Sequence, residues 1–148
     1  MKFDTLIDKE ARDLRALAGI MIPASTVYGV PGADDDRIFA DILKSLERDT
    51  PDARTALAQL ATLSGGAFAD LAPDRRAAVA TTFKGKGGSP LFALNRVVLL
   101  CYYRDDRVMR ALGQEPRSPF PKGHVVEQGD WSLLDPVKAR PPMWRRID

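Results

Sequence analysis

Residues 89–103 read SPLFALNRVVLLCYY, and this stretch decides the fold class. Pro90 suits the first turn of a helix, where its missing amide hydrogen has no intrahelical partner to lose. From Leu91 to Tyr103 only Asn95 and Arg96 interrupt the apolar run. A helix that is apolar on almost every side is a buried one, so Pro90 to about Tyr103 is predicted as the central core helix. The run falls far short of the roughly 18 residues that cross a membrane.

Working outward, the flanking segments carry helical spacing with clear punctuation. Ala11, Leu14, Leu17, Ala18 and Met21 recur every three or four residues, which predicts a first helix over Lys9–Met21, with Asp8 as its cap and Pro23 as its end. Pro23 to Ala33 is a loop with two prolines and two glycines. Asp34, Asp35 and Asp36 then crowd the start of a second helix, Asp35 to about Glu47, where the dipole favours negative charge. Ile38, Ile42 and Leu46, with Phe39 and Leu43 beside them, form its inward stripe.

Thr50-Pro51 opens a third helix to about Leu63, stopped by Ser64-Gly65-Gly66, and Pro73 opens a fourth to Phe83. Lys84 to Ser89, KGKGGS, reads as a mobile connector; the phosphate-loop spacing is absent and no strand precedes it. Asp105 or Asp106 caps a sixth helix that ends at Leu112, with Gly113 as its stop. No strand alternation persists, and no repeat of 20 to 50 residues is present. The fold class is therefore all-α: five to six short helices around a central apolar helix (residues 1–112), followed by a long irregular C-terminal arm (113–148).

That arm holds six of the eleven prolines, both tryptophans and the only histidine. Pro116, Pro119, Pro121, Pro136, Pro141 and Pro142 exclude a continuous helix and a paired strand. Yet Phe120, Trp131, Leu133, Leu134, Val137, Met143 and Trp144 are too apolar for a solvated tail. An extended segment with apolar anchors needs a surface, either the protein's own body or another protein. Partner-binding residues are expected at Pro119, Phe120, Pro121, His124, Trp131, Leu134, Met143, Trp144 and Arg145.

Charge and composition narrow the classes. The 22 basic and 20 acidic residues leave a net charge of +2, too balanced for a nucleic-acid footprint. One cysteine, Cys101, permits no internal disulfide, and within the apolar helix it behaves as a small hydrophobe or else bridges to a partner chain. His124 has no second histidine for a triad or a histidine metal site. Glu127, Asp130 and Asp135 flank Trp131 without a water-excluding cleft for acid–base work. No catalytic, cofactor-binding or metal-ligating residue is assigned to this chain. The charged start, MKFDTLIDKEARDLR, has no export signal, so the chain reads as cytoplasmic, or periplasmic if exported with a partner that carries a signal.

Ile20-Met21-Ile22-Pro23-Ala24 followed by Val30-Pro31-Gly32-Ala33-Asp34 resembles the opening of the gluconate 2-dehydrogenase subunit 3 family. In that family a first helix ends in an apolar-apolar-Pro motif, and a loop with Pro-Gly-Ala leads into the next helix. Asp106 to Gly113, then Pro119-Phe120-Pro121-Lys122-Gly123, is similar to the family's closing segment, a helix ending in Leu-Gly before a Pro-Lys-Gly turn. Gly129 to Pro136 also looks like a branch of such small subunits. The resemblance implies a non-catalytic small subunit that assists folding of a large flavoprotein of the glucose–methanol–choline (GMC) type. That partner would hold FAD, oxidise a sugar, glycoside or alcohol, and pass electrons to a cytochrome c or another acceptor. The twin-arginine signal of many members has no counterpart here, and neither does a dinucleotide-binding G-x-G-x-x-G. The alternative is a stand-alone helical domain that binds a protein or a small ligand.

Overall fold

A computed structural model describes residues 6–118, 120–123, 125–141, 143 and 144. The fold is all-α, and among the described residues the only strand-like pairing is an isolated bridge, Ser25 to Val30. Two compact units divide the chain, Met1–Pro116 and Arg117–Asp148.

The first unit is built from α1 (Asp8–Met21), α2 (Asp36–Ser45), α3 (Thr50–Ser64), α4 (Pro73–Lys86), α5 (Ser89–Tyr103) and α6 (Asp106–Ala111). Helix α5 packs against α3 and α2, and α3 also packs against α4 and α1. Leu94, Val97, Val98 and Cys101 of α5 meet Ile38 and Ile42 of α2 and Leu57 and Leu60 of α3 in one buried cluster. Leu14 and Leu17 of α1 and Phe83 of α4 complete it. The central position expected for α5 is thus occupied.

The helix ends follow local chemistry. Of the three consecutive acids, Asp35 is the cap of α2, its carboxylate accepting from the amides of Arg37 (3.1 Å) and Ile38 (3.4 Å). Asp105 caps α6 in the same way, accepting from Arg107 N–H at 2.9 Å. At α1 the expected cap moves: Asp8 lies inside the first turn, and Glu10 reaches back to accept from Ile7 N–H at 2.9 Å. Gly65 ends α3 in the left-handed conformation at φ +70°, which only glycine adopts without strain.

The loop between α1 and α2 is tied at both ends. Ser25 and Val30 exchange backbone hydrogen bonds of 3.0 Å, Ala33 N–H donates to Ile22 O at 2.9 Å, and Tyr102 Oη donates to Pro31 O at 3.2 Å. Gly32 is required here because a Cβ would come within 3.0 Å of the Ala24 nitrogen. The Pro-Gly-Ala-Asp sequence is therefore the packing signature of this loop. A second buried tie is polar: Asp13, almost wholly buried, accepts from Ala69 N–H at 2.8 Å and holds the 3-10 turn Phe68–Asp70 against α1.

Several expectations change. Helix α5 is not buried all round: Phe92, Leu99, Leu100 and Tyr103 are exposed, because no described element of this unit covers the face opposite α2 and α3. Leu43, placed in the inward stripe of α2, is also exposed. Lys84, Gly85 and Lys86 belong to α4, and only Gly87 and Gly88, at φ +64° and +100°, are left to reverse the chain.

The second unit holds a 3-10 turn over Trp131–Leu134 that runs into α7 (Asp135–Lys138). The arm is therefore not extended throughout. Pro136 falls in the first turn of α7, where a proline removes no helical hydrogen bond. Near the start of this unit the Arg117 guanidinium donates to Gly123 O at 2.6 Å across a turn that contains a cis Phe120–Pro121 peptide.

Two substitutions in α5 separate its faces. Leu94→Ala, at a side chain 1% exposed, is expected to lower unfolding free energy by about 2–5 kcal/mol. Phe92→Ala, at 71% exposed, should stay within about 0.5 kcal/mol of the parent. Urea unfolding followed by circular dichroism reads both, and equal losses would contradict the two-faced helix.

Candidate partner-binding surface

Among the exposed apolar side chains of the arm, Trp131, Leu133, Leu134 and Val137 fall on one short ordered segment. The Asp130 carboxylate accepts from Ser132 N–H at 3.0 Å and from Ser132 Oγ–H at 2.6 Å, which fixes the entry into the 3-10 turn. These bonds to the ionised form hold the Asp130 carboxyl below the usual carboxylate range. Trp131 is 62% exposed, and Leu133, Leu134 and Val137 are exposed beside it. In a 3-10 turn side chains three apart eclipse, so Trp131 and Leu134 share one face of the segment. Of the other anchors expected from sequence, Phe120, Pro121, Met143 and Trp144 are exposed. Pro119, His124 and Arg145 lie outside the described residues.

The sequence reading missed a second apolar surface, on the first unit. Phe92, Leu99 and Tyr103, seven and four residues apart, line the bare face of α5. The signal was present: Asn95 and Arg96 fall on that same side, and a charged residue in an apolar helix marks where water reaches it. Beside this face a groove of about 340 Å³ runs between α1, α4 and α5, lined by Leu17, Ile20, Met21, Phe83, Leu91 and Leu99, with Lys84 and Asn95 as polar members. Its size falls at the lower end of the range for small-molecule pockets.

Charged groups cluster elsewhere, and their geometry is structural. The Arg107 guanidinium forks between two helix caps, reaching Asp35 at 2.6 Å and Asp105 at 2.9 Å. Hydrogen bonds from Arg107 are the main reason that both carboxyls lie below their ordinary value of 3.8, with burial opposing them. Just past the end of α5 the Arg104 guanidinium grips Asp41 with two bonds of 2.7 Å and donates to Ser45 Oγ at 2.6 Å. Cys101 lines the cleft beside this pair, and burial pushes its thiol pKa upward, away from the reactive thiolate. Each acid here is matched by an arginine, so neither cluster presents a free base or an activated nucleophile.

Among the described residues no group of three or more histidine, cysteine, aspartate or glutamate side chains could hold a metal ion. No described helix is long and apolar enough to cross a membrane. No protein-family model matches this chain, no curated protein matches it, and no solved structure does. What the arrangement offers is contact area: an arm segment with an exposed tryptophan, and a helix face left bare beside a groove.

Two measurements check the chemistry assigned to these clusters. The Asp35 and Asp105 carboxyls contribute stability that is fully present above 3.8 and is lost as pH falls through their lower folded values. The urea midpoint should therefore drop on acidification below about pH 4, and the difference between the parent chain and Arg107→Gln should narrow over the same range. A constant difference down to the acid transition would contradict the pairing. For Cys101, an aromatic disulfide reagent should react slowly in the native chain and fast in urea. Rapid reaction under native conditions would contradict the buried, protonated thiol.

Proposed function

We propose that this chain is the non-catalytic small subunit of a flavin-dependent dehydrogenase of the glucose–methanol–choline type, assisting the folding and stability of the FAD-bearing large subunit. The observation that carries the reading is the exposed Trp131, Leu133, Leu134 and Val137 on a locally ordered segment. Large apolar side chains grouped on one short segment are the composition of interface anchors. The resemblance of the Ile20–Asp34 and Asp106–Gly123 stretches to the gluconate 2-dehydrogenase subunit 3 family supplies the identity of the partner. The paired acids around Arg107 and Arg104 and the protonated Cys101 agree with chemistry carried by that partner. FAD would lie in the large subunit, which oxidises a sugar, glycoside or alcohol and passes electrons to a cytochrome c or another acceptor.

The groove between α1, α4 and α5 favours a second reading, a stand-alone helical domain that binds a protein or small apolar ligand there. Co-expression separates the two. A tagged chain produced with the flavoprotein of the adjacent reading frame is expected to copurify with it as a yellow complex with FAD fluorescence, while the chain alone turns over no sugar or alcohol. A colourless, monodisperse chain, or the absence of any such flavoprotein beside it, would favour the second reading.

A further inference from the structure

We propose that the groove between α1, α4 and α5 binds a small monocarboxylate with an apolar tail, the tail lying among Leu17, Phe83 and Leu91 and the carboxylate accepting from Lys84 and Asn95. The proposal concerns the first unit alone and holds whether or not the arm binds a flavoprotein. It gives the occupant of this groove a chemical class.

Three helices each give the groove one row of side chains. Leu17 and Met21 of α1, Ala80 and Lys84 of α4, and Leu91 and Asn95 of α5 are four apart along their helices, the spacing of neighbours on one helix face. The lining passes from Leu17, Phe83 and Leu91, all buried, to Ile20 and Leu99, which are exposed. A volume of about 340 Å³ admits a small molecule. Walls of this composition take a hydrocarbon tail.

The polar members decide the head of the ligand. Lys84 is the one charged residue among those lining the groove, and it makes no ion pair among the described residues. An ammonium donates and cannot accept. Asn95 is half-buried in the row between Leu91 and Leu99, and its side-chain amide has no hydrogen-bond partner among the described residues. Arg96, the next residue, is by contrast paired with Asp49. Thr81, the third polar member, gives its hydroxyl hydrogen to Ala77 O at 3.0 Å. The groove therefore offers an ammonium and an amide N–H, and no acid lines it. A carboxylate brings two oxygens to these two donors, and hydrogen bonds between ionised groups are roughly twice as strong as neutral ones. An amine head would meet Lys84 with like charge.

Titration calorimetry of the full-length chain with octanoate, hexanoate, octan-1-ol and octylamine tests the assignment. Octanoate is expected to bind saturably and more tightly than octan-1-ol, and octylamine the most weakly of the eight-carbon probes. Each methylene removed from water is worth roughly fourfold in affinity, so octanoate should bind about tenfold more tightly than hexanoate. Lys84→Met, which keeps the stem and removes the charge, should weaken octanoate about fivefold and leave octan-1-ol unchanged. Asn95→Leu should likewise shift preference from octanoate towards octan-1-ol. Phe92→Ala, on the exposed face of α5 outside the groove, should change neither.

No saturable binding of octanoate would overturn the site. Octan-1-ol binding as tightly as octanoate, or octanoate affinity unmoved by Lys84→Met, would overturn the carboxylate head. Displacement of octanoate by the flavoprotein would assign the groove to that protein, and a concentration-dependent dimer dispersed by octanoate would assign it to a second copy of the chain; either overturns the proposal. Copurification with a flavoprotein is read separately, so loss of octanoate binding leaves the small-subunit reading standing, and absence of the flavoprotein leaves the groove.

Discussion

Burial of one face of α5 is the constraint on which the first unit depends. Leu94, Val97, Val98 and Cys101 fill the space between α2 and α3, and each is almost wholly removed from water. Close packing of this kind tolerates neither loss nor gain of a methylene without cost. Phe92, Leu99 and Tyr103 on the other face lie outside that cluster and remain exposed. A fifteen-residue helix that is apolar on both sides therefore has one side explained by the packing of its own unit and one that this packing does not use.

Polar chemistry serves the same framework. Arg107 joins the caps of α2 and α6, so two helix starts distant in sequence are held by one guanidinium. Arg104 ties the end of α5 to Asp41 and Ser45 of α2. Asp13 satisfies a buried amide in the turn at Ala69. An unpaired charge at these places would be costly; Arg104 and Arg107 are matched by carboxylates, and Asp13 accepts a backbone hydrogen bond. These arginines and their carboxylate partners are thereby accounted for as architecture.

Much of the fold was legible because helix punctuation is local. Pro51, Pro73 and Pro90 sit in first turns, Gly65 and Gly113 take the left-handed conformation that ends helices, and Asp35 and Asp105 cap. Burial was less legible because it depends on what else is near. The run from Leu91 to Tyr103 reads as core on hydropathy alone. Only its neighbours decide that Val97 and Val98 are enclosed while Leu99 and Leu100, the next two residues, face out. The density of prolines on either side of Trp131 predicts an extended segment, and the structure holds two short turns there instead. The position of Pro136 within its turn, together with the Asp130 cap, determines the conformation, and a proline count cannot show either.

Amide hydrogen exchange on the chain with and without the large flavoprotein tests the central claim that this protein functions by presenting apolar surface to that partner. The account predicts slowed exchange on mixing, concentrated between residues 125 and 141, with the buried helices of the first unit unchanged. Identical exchange across that segment in the presence of saturating flavoprotein would contradict it.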